Sequence, residues 1–447
     1  MRVISGVMFF PRGGSAHVAR ALGGELQAVG HDVTIVSGSL PGRHGDAGAF
    51  YSELDVRPVE FGSQAPMHPS YEDRPGAVDP CFALIDDRAY ETHVRAWADA
   101  LHAAGAADAD VLHLHHLTPL HEAARRVAPH VPVVGHLHGT ELLMLERIAA
   151  GAPGHWTHAA AWAARMRDWA QGCERLLLLA EGQLDRAVRL LGVDPHRCVV
   201  IPNGFDQETF SPARVERAAF WHDQLVAAPR GWRPGEAEGS VAYQAGELTP
   251  LVEGPVLICC GRFTAVKRVG LLIEAWAAAQ RRTRQRGALV LVGGHPGEWE
   301  GEHPSQTIGR TGARDVFLAG WHEHDELANF LRASDALVLA SVREQFGLVL
   351  VEAMACGLPC VAVDAFGPAE VIEDGRTGWL VAPDDRAALA DALVTVCDDP
   401  GERGRRGAAA RTVALEHYGW PAIATRVATV LADGAARGVV APAGREN

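Results

Sequence analysis

Two short runs carry the side chains best suited to an anionic ligand. Cys260-Gly261-Arg262-Phe263-Thr264-Ala265-Val266-Lys267-Arg268 follows an apolar stretch and puts an arginine and a lysine in one strand-to-helix loop. Such a pair can chelate a diphosphate, the guanidinium as a fork and the ammonium as a point charge. Of the 41 basic residues in the chain, Lys267 is the only lysine. A generic surface charge here would be expected to read Arg, which weighs against a plain solvated basic loop. The second run, Glu344 to Pro359, reads EQFGLVLVEAMACGLP. Gly347 sits near the expected start of a helix, where free backbone N–H groups and the dipole suit a phosphate. Glu352 has Val351, Ala353 and Met354 as neighbours, and a buried carboxylate needs partners that ligand hydroxyls can supply. Glu344 lies just before the helix, so both carboxylates can face one cleft. On spacing alone, an ordinary helix with one satisfied buried glutamate fits Glu352 equally well.

His113, His115, His116, His136 and His138 fall at the ends of two expected strands, where ligands of open sheets bind. They suggest a histidine-lined ligand cleft, with His115 and His116 as its candidates. Carboxylate and cysteine partners at metal spacing are absent, so no metal site is expected. Trp156, Trp162 and Trp169 could stack on sugars, but their helical placement favours core packing. The runs Arg281–Arg286 and Arg403–Arg406 read as solvated helix ends, leaving at most peripheral membrane contact.

The elements that would position these residues alternate. Val3, Ile4 and Val7 open a strand, Phe10-Pro11-Arg12-Gly13-Gly14 is a loop, and Ser15 is the expected cap of a helix to about Val29, closed by Gly30. Strands are expected at Val33–Val36, Val111–Leu114, Val131–Gly135, Leu176–Leu179 and Val199–Ile201. A second series follows at Val256–Cys260, Leu289–Val292, Val316–Leu318, Ala336–Leu339 and Pro359–Val363. Intervening Ala- and Arg-rich helical stretches imply mostly parallel sheets with helices on both faces. Ser39–Pro80 is irregular and too long for a plain connection, which suits a substrate-facing loop. Arg217–Gly254 breaks the rhythm and reads as a linker or insertion.

The 447 residues exceed one compact core, and 48% hydrophobic with 21% charged residues is ordinary globular composition. A net charge of −14 disfavours a nucleic-acid partner. No run reaches the length of a membrane span, the start lacks a signal-peptide layout, and the eight cysteines include no C-x-x-C pair. A reduced cytoplasmic location is the expectation. The absence of G-K-[ST] removes a P-loop, and neither candidate loop gives the dehydrogenase G-x-G-x-x-G.

Taken together, Gly261-Arg262 to Lys267, Ile201-Pro202-Asn203-Gly204-Phe205-Asp206 and the E-x7-E run from Glu344 to Glu352 resemble glycosyltransferase family 4. The Gly13-Gly14 loop, His138-Gly139-Thr140-Glu141, Gly293-Gly294 and Gly367-Pro368-Ala369-Glu370 support the likeness. It implies a retaining, nucleotide-sugar-dependent enzyme of GT-B fold, with two Rossmann-like doubly wound domains facing a central cleft. Residues 1–215 would form the acceptor domain, 216–254 a linker or insertion, and 255–416 the donor domain, with a helix at about 417–435 crossing back onto the first. The resemblance implies that Arg262 and Lys267 hold the donor diphosphate, Glu352 the ribose, and Glu344 the donor sugar. Backbone N–H groups at Phe346, Gly347 and Leu348 would touch sugar and phosphate. Gly13 and Gly14 would let their loop approach the diphosphate, and His138 would contact the donor sugar near the reacting centre. Glu141 joins His115 and His116 as an acceptor-binding candidate. The usual Lys-Gly is Lys267-Arg268 here, and the usual Gly-Gly-x-x-Glu is Phe366-Gly367-Pro368-Ala369-Glu370.

The expected activity is transfer of a sugar from a nucleotide diphosphate sugar, by family habit UDP-linked, to a hydroxyl of a small molecule or glycan. Neither cofactor nor metal is expected, since Arg262, Lys267 and the helix start supply the positive potential. An epimerase of the same architecture, a phosphorolytic enzyme and a non-catalytic sugar-nucleotide binder are the rivals.

Overall fold

The computed structural model of the protein describes residues 1–11, 13–41, 45–63, 65–73 and 79–438. Arg12, parts of the irregular 39–80 stretch and the tail beyond 438 lie outside the described residues. The chain divides into two compact units, Met1–Asn203 together with the chain from Trp420, and Gly204–Gly419.

The first unit holds a seven-stranded parallel sheet in the order β3-β2-β1-β4-β5-β6-β7. Its strands are β1 Arg2–Val7, β2 Asp32–Ser39, β3 Asp55–Glu60, β4 Val111–His115, β5 Val133–His136, β6 Arg175–Leu178 and β7 Cys198–Val200. Leu112 and Leu114 of β4 pack with Trp97 and Leu101 of the helix Asp87–Ala103 on one face. The helix Trp420–Gly438 packs against the helix Gly14–Ala28 and against β4 and β5. Ile423, Val427 and Leu431 of that helix are buried, each removing roughly 1.5–3 kcal/mol of apolar surface from water. Trp156, Trp162 and Trp169 are all buried core; Trp162 and Trp169 lie on the helix Ala159–Gly172 as expected, whereas Trp156 precedes it in a loop.

The second unit holds a six-stranded parallel sheet in the order β10-β9-β8-β11-β12-β13. Its strands are β8 Val256–Cys260, β9 Ala288–Val292, β10 Val316–Gly320, β11 Ala336–Leu339, β12 Cys360–Val363 and β13 Gly378–Val381. Both sheets are doubly wound. Their order reverses between β1 and β4 in one unit and between β8 and β11 in the other, the positions where open α/β sheets bind ligands.

Three expectations need correcting. The irregular 39–80 stretch contains a short helix, Ala47–Phe50, and the edge strand β3, paired parallel to β2. The first helix begins at Gly14 with Gly13 rather than Ser15 as its N-cap. Finally, 217–254 is an integral part of the second unit, because Trp221 and Trp232 are buried anchors that no helical or strand period announces. Trp232 Nε1 donates to the Gly294 carbonyl at 2.9 Å, and its ring lies 6.1 Å from that of Phe263. The supposed linker therefore buttresses the loop that carries Lys267.

Among the described residues no helix is long and apolar enough to cross a membrane. The arginine runs are engaged within the second unit: Arg282 pairs with Asp391, Arg284 with Asp398, Arg286 with Asp315, and Arg405 and Arg406 with Glu402.

Candidate functional site

In the second unit the candidate residues converge on the strand ends where the sheet order reverses. β8 delivers the chain to Gly261, whose φ of 152° is open to glycine but strained for other residues. Its N–H donates to the Val292 carbonyl at 2.9 Å. Beyond β9, a Cβ on Gly293 would lie 2.2 Å from the Gly261 oxygen, so the two loops touch backbone to backbone. This contact fixes the start of the 262–267 loop, which ends in a 3-10 turn, Ala265–Lys267. Lys267 Nζ then meets Glu344 Oε2 at 2.5 Å, the two side chains 21% and 19% exposed. Arg262 lies exposed on the same loop. Arg268 is turned to a different task, its guanidinium held by Asp384 at 2.6 and 3.2 Å.

Glu344 lies beyond β11 in a loop braced by the start of the short helix Phe366–Val371 that follows β12. Gly367 N–H donates to the Glu344 carbonyl at 3.1 Å, and a Cβ there would lie 2.4 Å from the Phe346 Cα. Gly347, at φ 90°, caps the helix Leu348–Ala355, with Leu348 as its first residue. Phe346 is buried, with its ring 5.9 Å from that of Tyr418. Ser341 Oγ is buried at the end of β11 without a hydrogen-bond partner among the described residues.

Glu352 is 3% exposed and its Oε1 lies 2.6 Å from His324 Nε2. His324 follows β10 and packs against the Phe210 ring. Burial alone would lower its pKa, but the Glu352 charge and the hydrogen bonds the ring donates to Asp325 and Glu352 more than offset this, raising it to about 10. Glu352 is thus paired with a half-buried imidazole. Sequence reasoning missed His324, because WHEHDE reads as a polar surface turn; its position after a strand that neighbours the site was the one usable signal.

In the first unit, Gly13 and Gly14 are exposed at the start of their helix, after β1. Across the order reversal lies the loop after β4. There His116 adopts φ 61°, and its ring contacts Phe9 at 4.7 Å. His116 Nδ1 meets Glu141 Oε1 at 2.7 Å, and the same oxygen accepts from the His138 backbone N–H at 3.3 Å. His138 Nε2 and His115 Nδ1 are 3.0 Å apart. The four expected residues of this unit, His115, His116, His138 and Glu141, therefore form one buried cluster. Burial, then repulsion from neighbouring imidazoles, holds His115 and His138 well below the ordinary histidine range, so both rings are neutral near pH 7. Glu141 Oε2, His116 Nε2 and Thr118 Oγ1 are buried without partners among the described residues, a polar set suited to ligand hydroxyls.

Known proteins share this organisation. The family model described as Glycosyltransferase Family 4 matches residues 12–209, and the one described as Glycosyl transferases group 1 matches 247–413. A D-inositol 3-phosphate glycosyltransferase of Streptomyces bingchenggensis is 31% identical over 306 residues, 68% of this chain and 62% of the relative. The chain thus spans less than two thirds of that relative's length. A glycogen synthase of Mycobacterium tuberculosis is 31% identical over 327 residues, covering 72% of this chain and 68% of its own. Among solved structures, Anabaena HepE in complex with UDP and glucose superposes with a TM-score of 0.70 at 18% identity, over 96% of this chain and 99% of that one. With both units matched by these models, and a relative of this identity aligned over most of each chain, the protein belongs to glycosyltransferase family 4 and has the GT-B fold.

Proposed function

We propose that the protein transfers a sugar from a UDP-linked donor to an acceptor hydroxyl, with retention at the anomeric carbon. The observation that carries the reading is the Lys267–Glu344 pair, set at the order reversal of the second sheet, with Glu352 on the helix that follows and paired with His324 from the turn after β10. Without a ligand, Lys267 and Glu344 neutralise each other. A diphosphate would draw the ammonium toward itself, joined by the Arg262 guanidinium, and leave Glu344 to accept hydrogen bonds from sugar hydroxyls. Glu352 has one oxygen on His324 and offers the other to the ribose. The N–H groups of Phe346, Gly347 and Leu348, at the helix start, add partial positive charge where the leaving group develops its negative charge.

The acceptor side falls to the first unit, where His138 would touch the donor sugar and His115, His116 and Glu141 would hold the acceptor, a small molecule or glycan. Gly13 and Gly14 would admit the diphosphate close to the backbone. In the transfer step the acceptor oxygen bonds the anomeric carbon, the bond from that carbon to the phosphate oxygen breaks, and the departing phosphate takes the acceptor's proton. The step uses no side-chain base, no cofactor and no metal. UDP is favoured because the superposing HepE structure holds UDP and glucose. The eight cysteines are all unpaired in the structure, consistent with action in a reducing cytoplasm.

The test is thermal-shift screening against UDP, GDP, ADP and dTDP and their sugars, followed by product analysis with polyol, polyol-phosphate and glucan acceptors. Stabilisation by UDP and a transferred sugar product are expected. Donor consumption with no transferred product, or phosphate-dependent turnover without a nucleotide, would reject the reading.

A further inference from the structure

Beneath the acceptor-side residues the first sheet carries a feature that sugar transfer does not call for. His113 and His115 alternate along β4 and so share one sheet face. β5 runs parallel with His136 opposite His115, which puts His136 on that face too. Val134, two residues earlier on β5, lies against Gly434, so this is the face covered by the helix Trp420–Gly438. The three imidazoles are 1%, 0% and 2% exposed, and one nitrogen from each lies within 4.8 Å of the others. Aliphatic side chains would fill such a depth without desolvating any polar atom. Here Nε2 of His115, the nitrogen that would ligate, is buried with no hydrogen-bond partner among the described residues, a cost of about 1–3 kcal/mol.

We infer that His113, His115 and His136 form a binding site for a divalent transition-metal ion of the zinc class. Tetrahedral coordination at about 2.0–2.1 Å sets ligand nitrogens roughly 3.3 Å apart. His113 Nε2 and His136 Nδ1 already stand at 3.2 Å. All three ligand nitrogens lie within 4.8 Å of one another, so the widest separation must shorten by about 1.5 Å on binding. An all-imidazole set selects zinc, copper, nickel or cobalt and discriminates against magnesium and calcium, which take oxygen ligands. The spacing within each run hid this site, since neither strand alone supplies more than two ligands; parallel pairing brings the third.

The ion has a positioning consequence. Coordination of His115 through Nε2 leaves the proton on Nδ1, which then donates to His138 Nε2 at 3.0 Å and fixes that ring. This consequence rests on the proposed function; the metal site itself does not.

Full-length protein, as purified and after chelator treatment and dialysis, is to be analysed for metal by mass spectrometry and titrated with Zn²⁺ and with Co²⁺. About one equivalent of zinc per chain, a rise in Tm with zinc, and the intense visible bands of tetrahedral Co²⁺ are expected. His113→Gln and His136→Gln should each weaken binding by ~10-fold or more, while His93→Gln, a buried histidine on the helix Asp87–Ala103, should leave it unchanged. Should either ligand variant fail to fold, the cobalt spectrum of the unaltered protein decides. No stoichiometric binding, or binding undiminished in both folded ligand variants, overturns the site, whatever the outcome of the donor screen.

Discussion

Lys267 sits one ion pair away from the role proposed for it. At 2.5 Å from Glu344 and about one fifth exposed, it is held ready rather than free in solvent. Lys267→Ala should lower kcat/KM by ~10²–10³-fold, as loss of one electrostatic stabiliser typically does, while the far-UV CD spectrum and Tm change little. Lys267→Arg should recover only part of the rate, because a planar fork does not replace a point charge at a fixed site. The Glu352–His324 pair gives a pH prediction. Glu352 and Asp325 face this imidazole, with the Phe210 ring packed against it, and its folded pKa of about 10 lies above the ordinary 6.5. A raised value of this kind contributes stability that is fully present below the unfolded pKa and is lost as pH rises through the folded one. The unaltered protein should therefore exceed His324→Asn in denaturant midpoint most at pH 6, with the gap shrinking toward pH 10. Glu352→Gln should weaken UDP binding by calorimetry and also lower the His324 pKa, read by NMR titration, because burial would then be opposed by Asp325 alone.

At the scale of elements, glycines decide whether the loops can meet. Gly293→Ala would place a methyl 2.2 Å from the Gly261 oxygen at φ 123°. It should cost roughly 2–4 kcal/mol in chemical denaturation and displace the Lys267 loop, abolishing measurable UDP binding. Much of this architecture was legible beforehand. β8 and β11 match their expected bounds, because strands buried on both faces read as unbroken apolar runs. β3 was not legible: Asp55–Glu60 reads DVRPVE, carries a proline and has only Val59 buried, as an edge strand permits. β13, the other edge strand, escaped for a different reason: GWLV is apolar and largely buried but only four residues long. At the site, Lys267, Glu344 and Glu352 stood out by residue type and spacing. His324 did not, since its partner lies 28 positions away and its own surroundings are polar. The three-imidazole cluster was invisible in either strand alone for a related reason, as it exists only through the register of β4 on β5.

At the scale of the whole chain, the second unit is inserted into the first. Phe205 N–H donates to the Tyr418 carbonyl at 2.8 Å, so the entering and leaving segments are stitched together where the second unit begins and ends. Residues 204–419 expressed alone should give a cooperative thermal transition and keep UDP affinity within a few-fold, since the Lys267, Glu344, Glu352 and His324 contacts are all internal to them. Deleting the chain from Trp420 should leave the first unit without a cooperative transition by calorimetry, because β4, β5 and the helix Gly14–Ala28 lose their cover. The same insertion sets a timetable on the ribosome. Residues 1–203 emerge first but cannot close until the helix Trp420–Gly438 follows, and at about 5–20 residues per second the intervening stretch takes roughly 10–40 s to translate. Through that interval the inserted unit can mature while the histidine-bearing face of the earlier one waits uncovered, making the nascent polypeptide a natural client for chaperones.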